Sequence, residues 1–206
     1  MINQEIKQID IYKIQNTSTK AWFYGCYQDL YLSKWKRLAG CGPSVASNLV
    51  LYHMAKQGIS APSSQEACVS LMNEVWKYVT PGFQGVSTTQ HFTKGLKKYF
   101  ESKKMLSEMH IIDVNKNKNN RIALVEVIHF IQEGLNQDSP IAFLNLHNGE
   151  EKNLDQWHWV NIVNLHTTDD LKDAMIDILD DGKRFEINLA LWLETTQLGG
   201  GFVYIT

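Results

Sequence analysis

An α+β fold, with an N-terminal helical lobe packed against a C-terminal antiparallel β lobe and a cleft between them, is predicted by three features of the sequence. Helical spacing and helix-start signals dominate from Gly42 to Phe100, and short apolar strand-like runs dominate from Met109 onward. No Pro/Gly/Ser-rich linker and no internal repeat divides the chain. Residues 1–206 are therefore read as one domain, with the helical lobe at about 20–105 and the β lobe at about 106–206.

Taken in order, Ile6, Ile9, Ile11, Tyr12 and Ile14 suggest an N-terminal strand, and Gln15-Asn16-Thr17-Ser18-Thr19 a polar loop. Ala21 to Gly40 is aromatic-rich but aperiodic and reads as irregular, packed chain. Pro43 suits a first helical turn, Val45, Leu49, Tyr52 and Lys56 follow with helical spacing, and Gly58 can close the helix. Ser63-Ser64-Gln65-Glu66 has the form of a capping box opening a second helix to about Tyr78, with Val69, Met72, Val75 and Trp76 inward. Pro81-Gly82-Phe83-Gln84-Gly85 marks a loop before a third helix from near Thr89 to Phe100. Met109 to Val114 reads as a strand, and Asn120 as the cap of a helix from Arg121 to Leu135. Strands follow at Pro140 to Leu146, Trp157 to His166, Ala174 to Asp180 and Phe185 to Leu189, with an apolar turn at Leu191-Trp192-Leu193 and a last strand from Phe202.

Composition narrows the function classes. With 44% apolar and 20% charged residues the chain is globular, and neither disordered nor collagenous. A formal charge of −2 supplies no field to hold a phosphate backbone, so nucleic acid is not an expected partner. The N-terminus lacks a basic cluster followed by an apolar run, and no stretch reaches 18 uninterrupted apolar residues, so a soluble, cytoplasmic protein without a membrane span is expected. Three cysteines, Cys26, Cys41 and Cys68, with no Cys-x-x-Cys pair, are too few for a disulfide scaffold or a four-thiolate zinc site and fit a reducing compartment. No cofactor or metal is implied.

Gly40-Cys41-Gly42-Pro43-Ser44 places a thiol at the start of a predicted helix. Free N–H groups and the helix dipole there favour the thiolate, making Cys41 a candidate nucleophile, and the same N–H groups suit a developing oxyanion. The plainer reading is a small buried apolar residue, as most intracellular cysteines are. A thiol nucleophile needs a base. Among seven histidines, His158 stands at the first turn of a β-branched strand behind a polar loop, where a ring can face a cleft and be held rigid. His53, His91 and His129 sit in predicted helices, while His110, His147 and His166 lie at strand ends. A third group must orient the base. An antiparallel register pairing His158 with Asp180, Val160 with Ile178 and Ile162 with Ile176 matches the apolar faces of two strands and sets Asp180 beside His158. Asp180-Asp181-Gly182 can equally be read as a solvated turn.

Gly40 to Leu49, His158-Trp159-Val160 and Ile178-Leu179-Asp180, in that order, resemble the papain-like cysteine peptidase clan. The likeness is to the bacterial leader-processing (double-glycine) and phytochelatin-synthase-like branch. The Cys-Gly-Ser-Cys-Trp pattern of the plant and lysosomal enzymes is absent. The resemblance implies a hydrolase with a catalytic triad and an oxyanion hole, for which Gln28, 13 residues before Cys41, is the candidate side-chain donor. It implies acyl transfer from a peptide or small amide substrate through a thioester, resolved by water, an amine or a thiol. Trp22, Trp35, Trp157 and Trp159 are candidates to line an apolar cleft, each with ordinary core packing as the alternative. Two other classes compete. One is an idle scaffold that binds a peptide or partner; the other is a metal hydrolase built on Cys41 and His158, which lacks any short-spaced ligand pair.

Overall fold

The computed structural model describes residues 2–206 and has the predicted α+β architecture. Its strands are β1 (Ile2–Glu5), β2 (Lys13–Gln15), β3 (Trp22–Tyr24), β4 (Met109–Val114), β5 (Ile141–Asn145), β6 (His158–Thr167), β7 (Ala174–Asp180), β8 (Lys183–Asn188) and β9 (Gly200–Ile205). Its helices are α1 (Lys34–Ala39), α2 (Cys41–Lys56), α3 (Gln65–Val75), α4 (Thr89–Lys103), α5 (Leu124–Asn136) and α6 (Leu189–Thr195).

The axis of the helical lobe is α2, buried without interruption from Gly42 to His53. Polar Ser44, Ser47 and Asn48 are buried with it, as expected of a helix packed on every side. Pro43 sits in the first turn, where its missing N–H costs nothing, and its carbonyl accepts the Ser47 hydroxyl at 2.7 Å. Ser64 caps α3 by accepting from the Ala67 amide at 3.3 Å, and Thr88 caps α4 by accepting from His91 at 3.1 Å. The apolar face of α4, Phe92, Leu96, Tyr99 and Phe100, is buried as its spacing requires.

Six strands run in the order β4-β9-β5-β6-β7-β8, antiparallel throughout, and β1 pairs with β6. One edge of β6 is shared: β5 takes His158 to Ile162, and β1 takes Asn164 to Thr167. With β7 on its other edge, β6 is buried along almost its whole length. Between Ile162 and Asn164 the register to β7 shifts, because Val163 is an extra residue on β6.

Several expectations are corrected. The N-terminal isoleucines do not form one strand: Ile9–Tyr12 is a 3-10 turn between β1 and β2, and Ile6, Tyr12 and Ile14 reach the core from different local conformations. The aperiodic stretch before Cys41 contains β3 and α1. Helix α5 begins at Leu124, not Arg121, because the Arg121 guanidinium donates to the carbonyls of Leu193 and Thr196 at 2.8 Å each and Arg121 stays extended. Its start is closed instead by the Glu126 carboxylate, which accepts from the Ala123 amide at 3.0 Å. The cysteines are not all free. Cys26 and Cys68 form a disulfide across 42 residues of sequence, tying the segment after β3 to α3, while Cys41 stays free. Spacing could not disclose this pair, since its members come from different elements, and the pairing removes the ground for expecting a reducing compartment. No helix among the described residues is long and apolar enough to cross a membrane.

Gly95 lies where α4 crosses the turn after α3, and a Cβ there would stand 2.5 Å from the Tyr78 carbonyl oxygen. An exposed helical Gly→Ala change stabilises by about 1 kcal/mol. Here the sign is expected to reverse: Gly95→Ala should lower unfolding free energy by roughly 1–3 kcal/mol, as read by urea denaturation.

Candidate active site

Three segments meet at the N-terminus of α2. The first is the loop Gly25-Cys26-Tyr27-Gln28 after β3, the second is the α2 start, and the third is the junction of the β6 start with the β7–β8 hairpin. Cys41, His158, Asp180 and Gln28 line one small cavity there, so all four residues singled out from the sequence come together.

Cys41 is the first residue of α2 and half-buried, and the backbone N–H groups of that turn are ones a helix leaves without an intrahelical carbonyl. His158 is the first residue of β6 and is 8% exposed. Across the ladder it faces Asn145 of β5, whose side-chain amide donates to the Asp155 carbonyl at 2.5 Å and so anchors the incoming loop. His158 Nε2 donates to Asp180 Oδ1 at 2.8 Å, and Cys41 is the other side chain acting on the ring.

Asp180 reaches His158 by a different register from the expected one. Ile162 pairs with Ile178 and Asn161 with Leu179, two residues out of step with the predicted alignment. A slip of two preserves the face, so Asp180 still shares a side of the sheet with His158 and meets it diagonally. The turn itself takes only Asp181 and Gly182, while Asp180 ends β7 with its side chain largely buried. Asp181 and Gly182 both have positive φ, 45° and 71°, and make the two-residue β7–β8 connection. Asp180 Oδ1 also accepts from the Asp181 amide at 3.0 Å, and the Gly182 carbonyl accepts from the Tyr24 amide at 2.8 Å. The same turn thus orients the carboxylate and docks the hairpin on the segment leading to Gln28.

The residue sequence reading missed is Asn48, two turns along α2 from Cys41. Its side chain accepts from the Cys26 amide at 2.6 Å, donates to the Cys26 carbonyl at 3.0 Å and donates to Asn161 Oδ1 at 2.8 Å. Gly25, at φ 66°, passes so close that a Cβ would lie 2.8 Å from Asn48 Oδ1. An Asn beside Ser47 inside the mostly apolar run from Val45 to Leu51 was the available signal.

Burial pushes the His158 pKa down, but the hydrogen bonds and negative charge of Asp180 and Cys41 outweigh it and raise the ring to about 10. The ring therefore holds its second proton at neutral pH. Away from this site, His166, Asp177 and Glu186 bring ligand-type atoms within 4.8 Å of one another. Asp177 Oδ2 there already accepts from Arg184 at 2.6 Å and 3.2 Å, so a guanidinium fills the cationic place.

Of the four tryptophans named as candidates to line a cleft, Trp159 is core, stacked on Phe92 with ring centroids 4.2 Å apart, its indole N–H donating to the Val86 carbonyl at 2.6 Å. Trp22 lies on another surface, beside Asp10 and Lys13. Trp35 and Trp157 border Cys41. Trp157 has φ 55°, a left-handed conformation that costs a bulky residue roughly 1–3 kcal/mol.

No protein-family model and no curated protein matches the sequence. Fourteen chains of solved structures do match its fold. Among them the crystal structure of UfSP from C. elegans, a papain-like cysteine protease, aligns over 94% of this chain with a TM-score of 0.51 at 9% sequence identity. The chain has a papain-like fold. It spans 33% of the length of that neighbour, so the likeness concerns architecture alone.

Two outcomes are expected. Asn48→Ala strips the Cys26 amide and Asn161 of buried partners and should cost roughly 1–3 kcal/mol in chemical denaturation. A His158 pKa raised above the unfolded value contributes stability that is whole below about pH 6.5 and disappears as pH rises through about 10. NMR titration of the ring should find its proton lost near that upper value, and at lower pH in Asp180→Asn.

Proposed function

We propose that the protein is a thiol hydrolase or acyl transferase that opens a peptide or amide bond with Cys41 as nucleophile. One observation carries the reading. A buried histidine held by a carboxylate shares one small cavity with a cysteine at a helix N-terminus, and that cysteine acts on the ring.

In the proposed reaction Cys41 Sγ forms a bond to the carbonyl carbon while the carbonyl π pair moves onto oxygen. The Cys41 N–H and the Gln28 side-chain amide donate to that oxyanion. Collapse breaks the C–N bond, and the leaving amine takes the proton from His158 Nδ1. Water, or another amine or thiol, then attacks the thioester, passing a proton to His158 and restoring the thiolate–imidazolium pair. Asp180 fixes the ring orientation throughout. The order Cys41, His158, Asp180 and the segments around them are the basis for placing the chain with the bacterial leader-processing and phytochelatin-synthase-like enzymes.

The test uses iodoacetamide, which reads the thiol without needing the substrate. Rapid alkylation of Cys41 below pH 7, slowed by roughly tenfold or more in His158→Ala, is expected if the pair is formed. Slow alkylation that ignores this substitution favours an idle binding scaffold. With a cleavable peptide in hand, Cys41→Ala should abolish turnover and keep the fold by circular dichroism; cleavage retained by that variant defeats the mechanism.

A further inference from the structure

At the other end of α2 from Cys41, a cavity of about 490 Å³ lies between α2, α3 and α4, a volume that suits a small organic ligand. Met54, Ile59, Pro62, Leu71 and Met105 give it apolar walls. Two of these walls are made by helix ends. The Ile59 N–H donates to the Met54 carbonyl at 2.9 Å where α2 closes, and the Met105 N–H donates to the Phe100 carbonyl at 3.0 Å where α4 closes. Each bond turns the chain back on its own helix, so the cavity is formed without a ligand.

The polar part of the lining lacks one partner. Tyr99 of α4 borders the cavity and is 2% exposed, its ring edge-on to Tyr78 and Phe100 with centroids 5.5 Å and 5.9 Å away. Among the described residues no group hydrogen-bonds its hydroxyl. The side-chain atoms there that are both fully enclosed and unpartnered are Ser44 Oγ, Asn161 Nδ2 and Asn164 Oδ1, and Tyr99 Oη is not one of them. The hydroxyl therefore opens on free space, and the space that Tyr99 borders is this cavity. Burial, with the charge of Glu74, pushes its pKa up, so the hydroxyl keeps its proton and stays a donor at neutral pH. Lys103 Nζ stands 5.7 Å from the Tyr99 ring centroid and is ion-paired with Glu74. These are the two charged residues of the lining, and their charges cancel.

We propose that this cavity binds a small uncharged amphiphile, its apolar body against Met54, Leu71 and Met105 and a carbonyl or hydroxyl oxygen accepting the Tyr99 O–H. The class of ligand follows from the lining. An acceptor brought in by the ligand completes the one hydrogen bond that Tyr99 lacks. A carboxylate or an ammonium would leave water for a site whose own charges are already spent on each other. The inference does not rest on the chemistry proposed for Cys41, and either can fail alone.

The test uses three eight-carbon probes of matched shape, octanamide, octanoate and octylammonium, each added below its micelle concentration to protein with isotope-labelled methionine methyl groups. Met54 and Met105, assigned through Met54→Leu and Met105→Leu, report the cavity, while Met72, Met109 and Met175 lie outside its lining. Octanamide is expected to shift the Met54 and Met105 signals saturably and to bind roughly tenfold or more tighter than either ion. In variants shown to be folded by circular dichroism, Tyr99→Phe should weaken octanamide by roughly three- to tenfold, and Ala67→Phe, which fills the cavity from α3, should abolish the shifts. No saturable shift at Met54 and Met105 overturns the site. Binding that ignores the head group, that is tightest for an ion, or that Tyr99→Phe leaves unchanged overturns the ligand assignment.

Discussion

The geometry at Cys41 depends on one buried amide. Asn48 uses both ends of its side chain on the backbone of Cys26 and reaches Asn161 on β6, so a single residue joins the helix bearing Cys41, the loop bearing Gln28 and the strand bearing His158. Polar groups bonded in the interior are costly to release, because a broken bond leaves both partners dry and unpaired. Asn48 therefore couples three segments that share little sequence proximity, 22 residues separating it from Cys26 and 113 from Asn161. The Cys26–Cys68 disulfide secures the same loop from behind, to α3. Gln28 is thus held by a tether two residues away and not by bonds of its own backbone alone.

What could be read in the sequence was set by local chemistry. Proline in a first helical turn, a serine cap from the Ser63-Ser64 pair, and the apolar face of α4 each act within a few residues, and each appears where patterning placed it. Asp180 was found through a register that is wrong by two residues, since only the parity of the pleat was needed to put it on the face of His158. Interactions that act across the fold were not legible. The Arg121 side chain takes carbonyls more than 70 residues away, and this delays α5. The Cys26–Cys68 pairing and the Asn48 clamp are equally matters of tertiary approach, and neither leaves a periodic trace in the chain.

The electrostatics of the site follow from the same arrangement. An imidazolium buried to the extent of His158 is disfavoured by desolvation, and it persists because Asp180 and Cys41 together outweigh that cost. The carboxylate is itself steadied by the Asp181 amide in a turn whose two positive-φ residues point that N–H at Oδ1. The hairpin connection thus has an electrostatic role beyond chain reversal. A turn of another type would close the β7–β8 connection with the amide aimed elsewhere and the carboxylate less firmly placed.

Two spaces flank Cys41 and divide the proposed chemistry between them. A space that admits only a water-sized group, next to a helix N-terminus and a side-chain amide, can select for a carbonyl oxygen but cannot recognise a substrate. In the proposed chemistry recognition comes from the open side of the sulfur, which Trp35 and Trp157 border. That side is also solvent-accessible, so water can reach a thioester once the amine has gone unless a bound acceptor displaces it. In the proposed chemistry the choice between hydrolysis and transfer lies with what occupies that open side after the first step, not with the four residues around the small cavity.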